Sequence, residues 1–383
     1  MTDTERPDSA ADDDAAVVAE ADRDLPPETV AAMVGEIRPA WSVREAAPAE
    51  EGTDVVYFLT AETPDGPREC VLKACEFVDP RAFRPEPHLM EAVGRRTEIP
   101  VPAVVGAVDD HSDLPAPFYL MERCDGAVRE GAARDLPAAA IERLARDAGR
   151  YLAALHALGE FEEFGTVLLG RDARRDDRTS GLTVPDRDSP AGERVLTTDE
   201  SATDSWRERV EETVASTRGE FNDRFADLEA DLRAVVESRL DALDGEFDAV
   251  LGDDDYRLGN LLVDPETGET RAVLDWGNSS TLERQYNLVV TEQHLCGWAR
   301  HDDPRRERVR AALREGYTAE SDRRKIDFGP DAERRRELYL AVTRTFPLVW
   351  FSLWYDGADG DQREETAEMH RRAVRELHSA TVS

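Results

Sequence analysis

Apolar and polar positions follow two different periods along the chain. Asp54 to Thr60 (DVVYFLT) and Arg68 to Cys75 (RECVLKAC) are β-branched and aromatic, with the turn signal PDG at Pro64 to Gly66 between them, so they predict a β-hairpin. A short helix is expected from about Pro27 to Ile37 before the hairpin and another from Glu86 to Arg95 after it. Ile99 to Val108 (IPVPAVVGAV) reads as an extended segment punctuated by prolines, and Pro117 to Gly126 (PFYLMERCDG) as a strand leaving toward a linker. The period then lengthens. Ile141, Leu144, Ala148, Leu152 and Leu155 recur at helical spacing within residues 138–158 and predict an amphipathic core helix. Arg171 to Ser205 is polar and carries no period, which predicts a long loop or a partly disordered insertion. Trp206, Val210, Val214, Phe221, Phe225, Leu228, Leu232, Val235 and Leu243 then form an apolar stripe, expected as one long helix or two broken near Gly219.

The densest chemistry lies in FDAVLGDDDYRLGNLLVDPETGETRAVLDWGNSS, Phe247 to Ser280. FDAVL, LLVD and RAVLD read as short strands, PETG as a turn, and Asp253 to Asn260 as a polar loop. A tight hairpin from Leu261 to Leu274 returns the chain beside its start and brings Asp275 near Asp255 and Asn260. Two carboxylates and an amide make an oxygen-only set that suits Mg²⁺, which takes few protein ligands and leaves positions for waters and phosphates.

The spacing Asp255-x4-Asn260, a hairpin, then Asp275 at the end of an apolar strand resembles the catalytic loop and metal-binding Asp of the aminoglycoside phosphotransferase and choline kinase-like family, relatives of the protein kinases. VLK ending in Lys73, Glu86 opening the next helix, PVPAVVG, FYLMERCDG, LAALHAL and REGY (Arg314 to Tyr317) resemble further landmarks, over roughly residues 50 to 320. The resemblance implies an α+β, bilobal, protein-kinase-like fold: a small antiparallel-sheet lobe over residues 25–123 and a larger helical lobe over 124–383. It implies transfer of the γ-phosphoryl group of ATP or GTP to a hydroxyl of a small molecule. Asp255 would be the catalytic base, Asn260 and Asp275 the Mg²⁺ ligands, Lys73 the phosphate contact and Glu86 its partner. Backbone around Met121 and Glu122 would face adenine, and the acceptor would lie between the catalytic loop and the helices from Trp206 to Leu243 and Leu338 to Leu377. His156 reads as a packed structural histidine.

Two departures matter. Asp253-Asp254-Asp255 stands where the family usually has His-Gly-Asp, and three adjacent carboxylates resist joint ionisation unless a cation such as Arg257 offsets them. The phosphate-covering segment EEGTDVVYF offers only Gly52. The alternative is therefore a catalytically impaired pseudokinase that binds nucleotide or a partner.

Composition narrows the setting. With 83 acidic and 48 basic side chains the net charge is −35, which disfavours nucleic-acid and anionic-membrane partners. Only Lys73 and Lys325 are lysines, so 48 − 2 = 46 basic residues are arginine, a pattern resembling proteins of extreme halophiles. Lys73 is thus conspicuous. Residues 1–24, with nine acidic and two basic side chains, read as a mobile acidic tail. Four cysteines without CxxC spacing, no zinc-type cluster, and no leader or spanning segment suggest a cytoplasmic protein with reduced thiols.

Overall fold

A computed structural model describes residues 25–49, 54–76, 79–128, 136–170, 181–185, 193–264, 266–277, 279–300, 302–320, 326–355 and 357–382. The expected acidic tail, 1–24, and Gly52 lie outside the described residues.

The first lobe begins with helix α1 (Pro27–Ile37), whose buried positions Val30, Met33, Val34 and Ile37 share one face by their spacing. Strands β1 (Ser42–Pro48), β2 (Val55–Thr63) and β3 (Gly66–Ala74) follow, then helix α2 (Pro85–Arg96), β4 (Val104–Val108) and β5 (Phe118–Glu122). The sheet is antiparallel throughout, ordered β1-β2-β3-β5-β4. Period-two alternation gives it two faces. Val55, Tyr57, Leu59, Cys70, Leu72, Phe118 and Leu120 pack against α1, while Val56 and Lys73, directly paired across β2 and β3, share the opposite face. Burying each large aliphatic or aromatic group of the α1 layer contributes roughly 1.5–3 kcal/mol.

The second lobe opens with α3 (Ala138–Leu155). Strands β6 (Val167–Gly170), β7 (Leu182–Pro185) and β8 (Glu193–Thr198) then form a sheet ordered β6-β8-β7. This corrects the expectation of a structureless loop from 171 to 205: Leu182, Val184 and Leu196 are buried with Leu89, Met90 and Val93 of α2. Residues 171–180 and 186–192 of that stretch lie outside the described residues. The insertion also grips the first lobe through polar contacts. Arg194 pairs with Asp109, Arg81 with Glu200 at 2.8 Å, and Arg96 donates to the Thr183 carbonyl.

Beyond Ser205 the apolar stripe folds as two helices, α4 (Trp206–Ser216) and α5 (Glu229–Glu237), with the break near Gly219 at φ +78°. Strand β9 (Val250–Asp253) pairs with β12 (Ser279–Leu282), and between them lies the hairpin β10 (Leu261–Val263) and β11 (Thr270–Val273). Helices α6 (Arg284–Leu295), α7 (Pro304–Glu320), α8 (Pro330–Val349) and α9 (Gly360–Val382) complete the lobe. Gly149 of α3 and Gly316 of α7 let these helices meet backbone to backbone: a Cβ on Gly149 would sit 2.1 Å from the Leu313 carbonyl oxygen, and one on Gly316 2.0 Å from that of Arg146. No described helix is long and apolar enough to cross a membrane.

Candidate active site

The two lobes meet at Lys73. Its ammonium lies 3.0 and 2.9 Å from the two Glu86 oxygens and 2.9 Å from Asp275 Oδ1, a partner 202 residues away in sequence. Strand β3 places Lys73 on the sheet face away from α1, and Glu86 stands in the first turn of α2, so both charged groups are held by regular elements. Glu86 is 1% exposed and also accepts the Trp276 backbone N–H at 3.2 Å, tying α2 to the segment just after the hairpin. Burial alone would lower the Lys73 pKa, but Glu86 and Asp275 outweigh it and hold the ammonium well above its ordinary range. Lys73 in turn keeps the Asp275 carboxyl below the usual carboxylate range, against the effect of burial.

Asp255 lies two residues past the end of β9. Its backbone N–H donates to Asp253 Oδ1 at 2.9 Å, and Asn260 Nδ2 donates to both its carbonyl and its Oδ2 at 3.0 Å. Arg257 lies 3.1 Å from Asp255 Oδ1, the cationic offset that the three adjacent acids call for. Leu274 N–H donates to the Asn260 carbonyl at 2.8 Å, so the hairpin closes Asn260 against the residue preceding Asp275. Lys73, Glu86, Asp255, Asn260 and Asp275 are all brought to this one cleft. Asp275 has φ +57°, a left-handed conformation that Asp tolerates better than most residues, and the only other described non-glycine residue with positive φ is Trp298.

Burial pushes all three adjacent acids up: Asp253 to about 8, Asp254 to about 6, and Asp255 well above the ordinary carboxylate range, with Asp253 and Asp275 adding repulsion at Asp255. A separate bracket secures the strand end. Asn287 Nδ2 donates to the Asp253 carbonyl, its Oδ1 accepts the Asp253 N–H at 3.3 Å, and His156 Nε2 lies 3.0 Å from the same Oδ1. His156 Nδ1 meets the Tyr317 hydroxyl at 2.8 Å, and burial lowers its pKa to about 3, leaving a neutral packed ring. Gly252 is required here, because a Cβ would stand 2.7 Å from Asn287 Oδ1. LAALHAL and REGY thus meet Asn287 of α6 in one buried chain of hydrogen bonds beneath the loop.

Met121 and Glu122, whose backbone is expected to face adenine, lie at the end of β5, where part of that backbone is engaged by neighbouring strands. Met121 pairs with Val71 on one side and Val104 on the other. The Glu122 N–H donates to the Ala103 carbonyl at 2.9 Å and the Arg123 N–H to that of Glu69 at 3.3 Å. Ladder bonding therefore runs past Glu122, and Cys124 is the first residue beyond it.

Sequence reasoning missed two features. Asp54 adds a third carboxylate to Lys73 at 3.4 Å, both side chains 9% exposed. His294, Trp298 and Trp354 stack with centroids 5.0 and 5.9 Å apart in succession, and Trp354 is 38% exposed. The His294 ring is hydrogen-bonded to the Asp254 backbone, with burial and then Arg257 lowering its pKa to about 3. Neither stood out in the sequence: Trp354 reaches His294 and Trp298 from a distant segment, and Asp54 is one acid among many.

The donor set fits Mg²⁺. Among the described residues no group of three or more His, Cys, Asp or Glu side chains is arranged to hold a metal ion, whereas Mg²⁺ on a polyphosphate needs only one or two protein oxygens. Asn260 spends its amide nitrogen on Asp255, which leaves its Oδ1 for such a role, and the Asp275 side chain is 38% exposed to the cleft.

A small antiparallel sheet with one buried helix, a helical second lobe, and a strand lysine bridging a helix glutamate and a hairpin aspartate define a protein-kinase-like fold. A family model described as the phosphotransferase enzyme family matches residues 45–334, and the chain belongs to that family and is a small-molecule kinase by class. A crystal structure of a candidate aminoglycoside phosphotransferase from Ralstonia eutropha superposes with TM-score 0.57 at 16% identity, covering 94% of this chain and 98% of the other. The microcompartment-associated aminopropanol kinase gives 0.57 at 18% identity over 91% and 98%. The GDP and kanamycin complex of APH(2")-IIIa gives 0.54 at 13% identity, again over 91% and 98%. No curated protein matches the chain by sequence.

Proposed function

We propose that this protein moves the γ-phosphoryl group of ATP or GTP to a hydroxyl of a small molecule in a Mg²⁺-dependent reaction. The contact of Lys73 with both Glu86 and Asp275 carries the reading, because it spans strand, helix and hairpin in the arrangement phosphoryl transfer uses. Lys73 binds the α- and β-phosphates, oriented by Glu86. Asn260 and Asp275 hold Mg²⁺, which when bound neutralises the phosphate oxygens. Asp255 accepts the acceptor's hydroxyl proton as that oxygen bonds to the γ-phosphorus and the bond to the β-phosphate oxygen breaks, releasing the nucleoside diphosphate. Asn260 and Arg257 fix the Asp255 carboxylate and offset its neighbours. The nucleotide occupies the cleft between the lobes over 25–123 and 124–383, with adenine or guanine against the backbone from Glu122 to Cys124.

The acceptor binds beside Asp254, against the wall of His294, Trp298 and Trp354. Relatives that act on aminoglycosides and aminopropanol suggest an amino alcohol as the first class to screen. The acidic, arginine-rich composition supports a cytoplasmic, salt-adapted enzyme, and assays belong in molar KCl.

Calorimetry of ATP and GTP with Mg²⁺ on the wild type and Asp275→Ala tests the nucleotide site. Binding that depends on Mg²⁺ and is lost in Asp275→Ala is the expected result; no binding by the folded wild type would overturn the reading. Asp255→Asn should keep nucleotide affinity and lose transfer by about 10²–10⁴-fold. Binding that ignores both Mg²⁺ and Asp275 favours the pseudokinase, for which the raised Asp255 carboxyl speaks.

A further inference from the structure

Lys73 carries one positive charge and three carboxylates face it. Glu86 and Asp275 belong to the arrangement described above; Asp54 does not. Its Oδ2 lies 3.4 Å from Lys73 Nζ, and its Oδ1 accepts the Glu76 backbone N–H at 3.4 Å, so the carboxylate is held from both ends. The register explains its direction. Val55, Tyr57 and Leu59 point into the α1 layer, Val56 pairs with Lys73, and Asp54 precedes Val56 by two and continues its side of the strand. That is the side on which Lys73 meets Asp275. Phosphates that reach Lys73 therefore arrive beside a fixed negative charge.

We propose that Asp54 is an electrostatic filter on the nucleotide site: its carboxylate stands at Lys73 where phosphate oxygens bind, and it rejects polyphosphate whose charge is not already neutralised by a divalent cation. The proposal rests on the reading of Lys73 as the phosphate contact. Like charges this close and this sheltered repel more strongly than they would in water. The repulsion scales with the charge brought in, so it is greatest for metal-free ATP, smaller for Mg²⁺-bound ATP, and absent for adenosine. In molar salt such a filter also keeps simple anions from settling on Lys73, because a sheltered pair is screened far less than a surface one.

The test is calorimetry on the full chain in molar KCl, comparing wild type, Asp54→Asn and Asp54→Ala. The probes are ATP with Mg²⁺, ATP with EDTA, and adenosine. The expected result is that metal-free ATP binds about tenfold tighter or more in both variants, Mg²⁺-bound ATP gains less, and adenosine is unchanged. Weaker Mg²⁺-bound ATP binding in both variants would make Asp54 a support of Lys73 or of the metal, and would overturn the filter. So would tightening that adenosine shares. If the wild type binds ATP and neither variant differs from it, only the filter falls. If no form of the protein binds ATP, the phosphotransferase reading falls with it.

Discussion

Two clusters of buried charge occupy this molecule, and they are built in opposite senses. At the cleft one ammonium, Lys73, faces Glu86, Asp275 and Asp54, an excess of negative charge with Asp275 still 38% exposed. In the second lobe one carboxylate, Glu292, faces Arg306 at 3.0 Å and Arg336 at 2.5 Å, with the Glu292 and Arg306 side chains 2% and 3% exposed. Gln293 accepts from both Arg306 and Arg344, and Arg344 donates to the Trp298 carbonyl at 3.1 Å. The second cluster is closed, and most of its donors are spent on protein acceptors. The first opens onto the cleft. Buried charge whose donors are closed off by protein acceptors is architecture, whereas buried charge that opens onto a cleft is a place for a ligand. The two are also joined, because the closed cluster holds the Trp298 backbone in its left-handed turn and so sets the aromatic wall beside Asp254.

The largest expected effect separates the clusters by stability. Glu292→Gln leaves two arginines buried without their carboxylate, and it should cost about 3–5 kcal/mol. Lys73→Ala should cost clearly less, since Glu86 can take up a proton and Asp275 opens toward solvent, yet it should abolish Mg²⁺-dependent nucleotide binding. Urea midpoints in molar KCl with calorimetry on both variants measure this. Equal destabilisation by the two would remove the distinction between architecture and site.

How much of this was legible in the sequence differs in the same way. The catalytic hairpin could be placed because short-range chemistry marks it: strand, turn and strand lie within Leu261 to Leu274, and the key polar residues stand at fixed offsets from it. Lys73 stood out through the scarcity of lysine. Strand β1 went unread because it is an edge strand, exposed along nearly all of Ser42–Pro48, and so carries no apolar period. The strands of the insertion are four to six residues long, and their burial depends on α2, more than eighty residues earlier, so the pattern appears only after folding. Nothing in the sequence shows that the Ala103 and Glu69 carbonyls claim the amides of Glu122 and Arg123, because those bonds form only once the sheet is assembled.

A smaller effect tests the wall that the closed cluster supports. Trp354 contacts His294 and Trp298 while 38% exposed, so it can be truncated without opening the core. With an acceptor found by screening, Trp354→Ala should raise its KM by about tenfold, the loss of roughly one aromatic contact, with nucleotide KM unchanged. An equal rise in nucleotide KM would place the wall on the wrong side of the cleft.

The smallest effect concerns the acid that braces the catalytic loop. Asp253 is 3% exposed and burial raises its pKa to about 8, from an ordinary value near 4 in the unfolded chain. Between those values the folded state keeps a proton that the unfolded state has released, so this group lowers stability as pH rises from about 4 to about 8. An amide cannot ionise, yet it can still accept the Asp255 N–H that Asp253 now accepts. Asp253→Asn should therefore gain on the wild type as pH rises, by about 1–2 °C in Tm per pH unit across that window, while carboxylates remote from the loop contribute equally to both proteins. Thermal melts at several pH values in one salt read it directly. A Tm difference that stays flat with pH would mean that Asp253 is ionised in the folded protein, and the cleft would then be still more unbalanced than its distances imply.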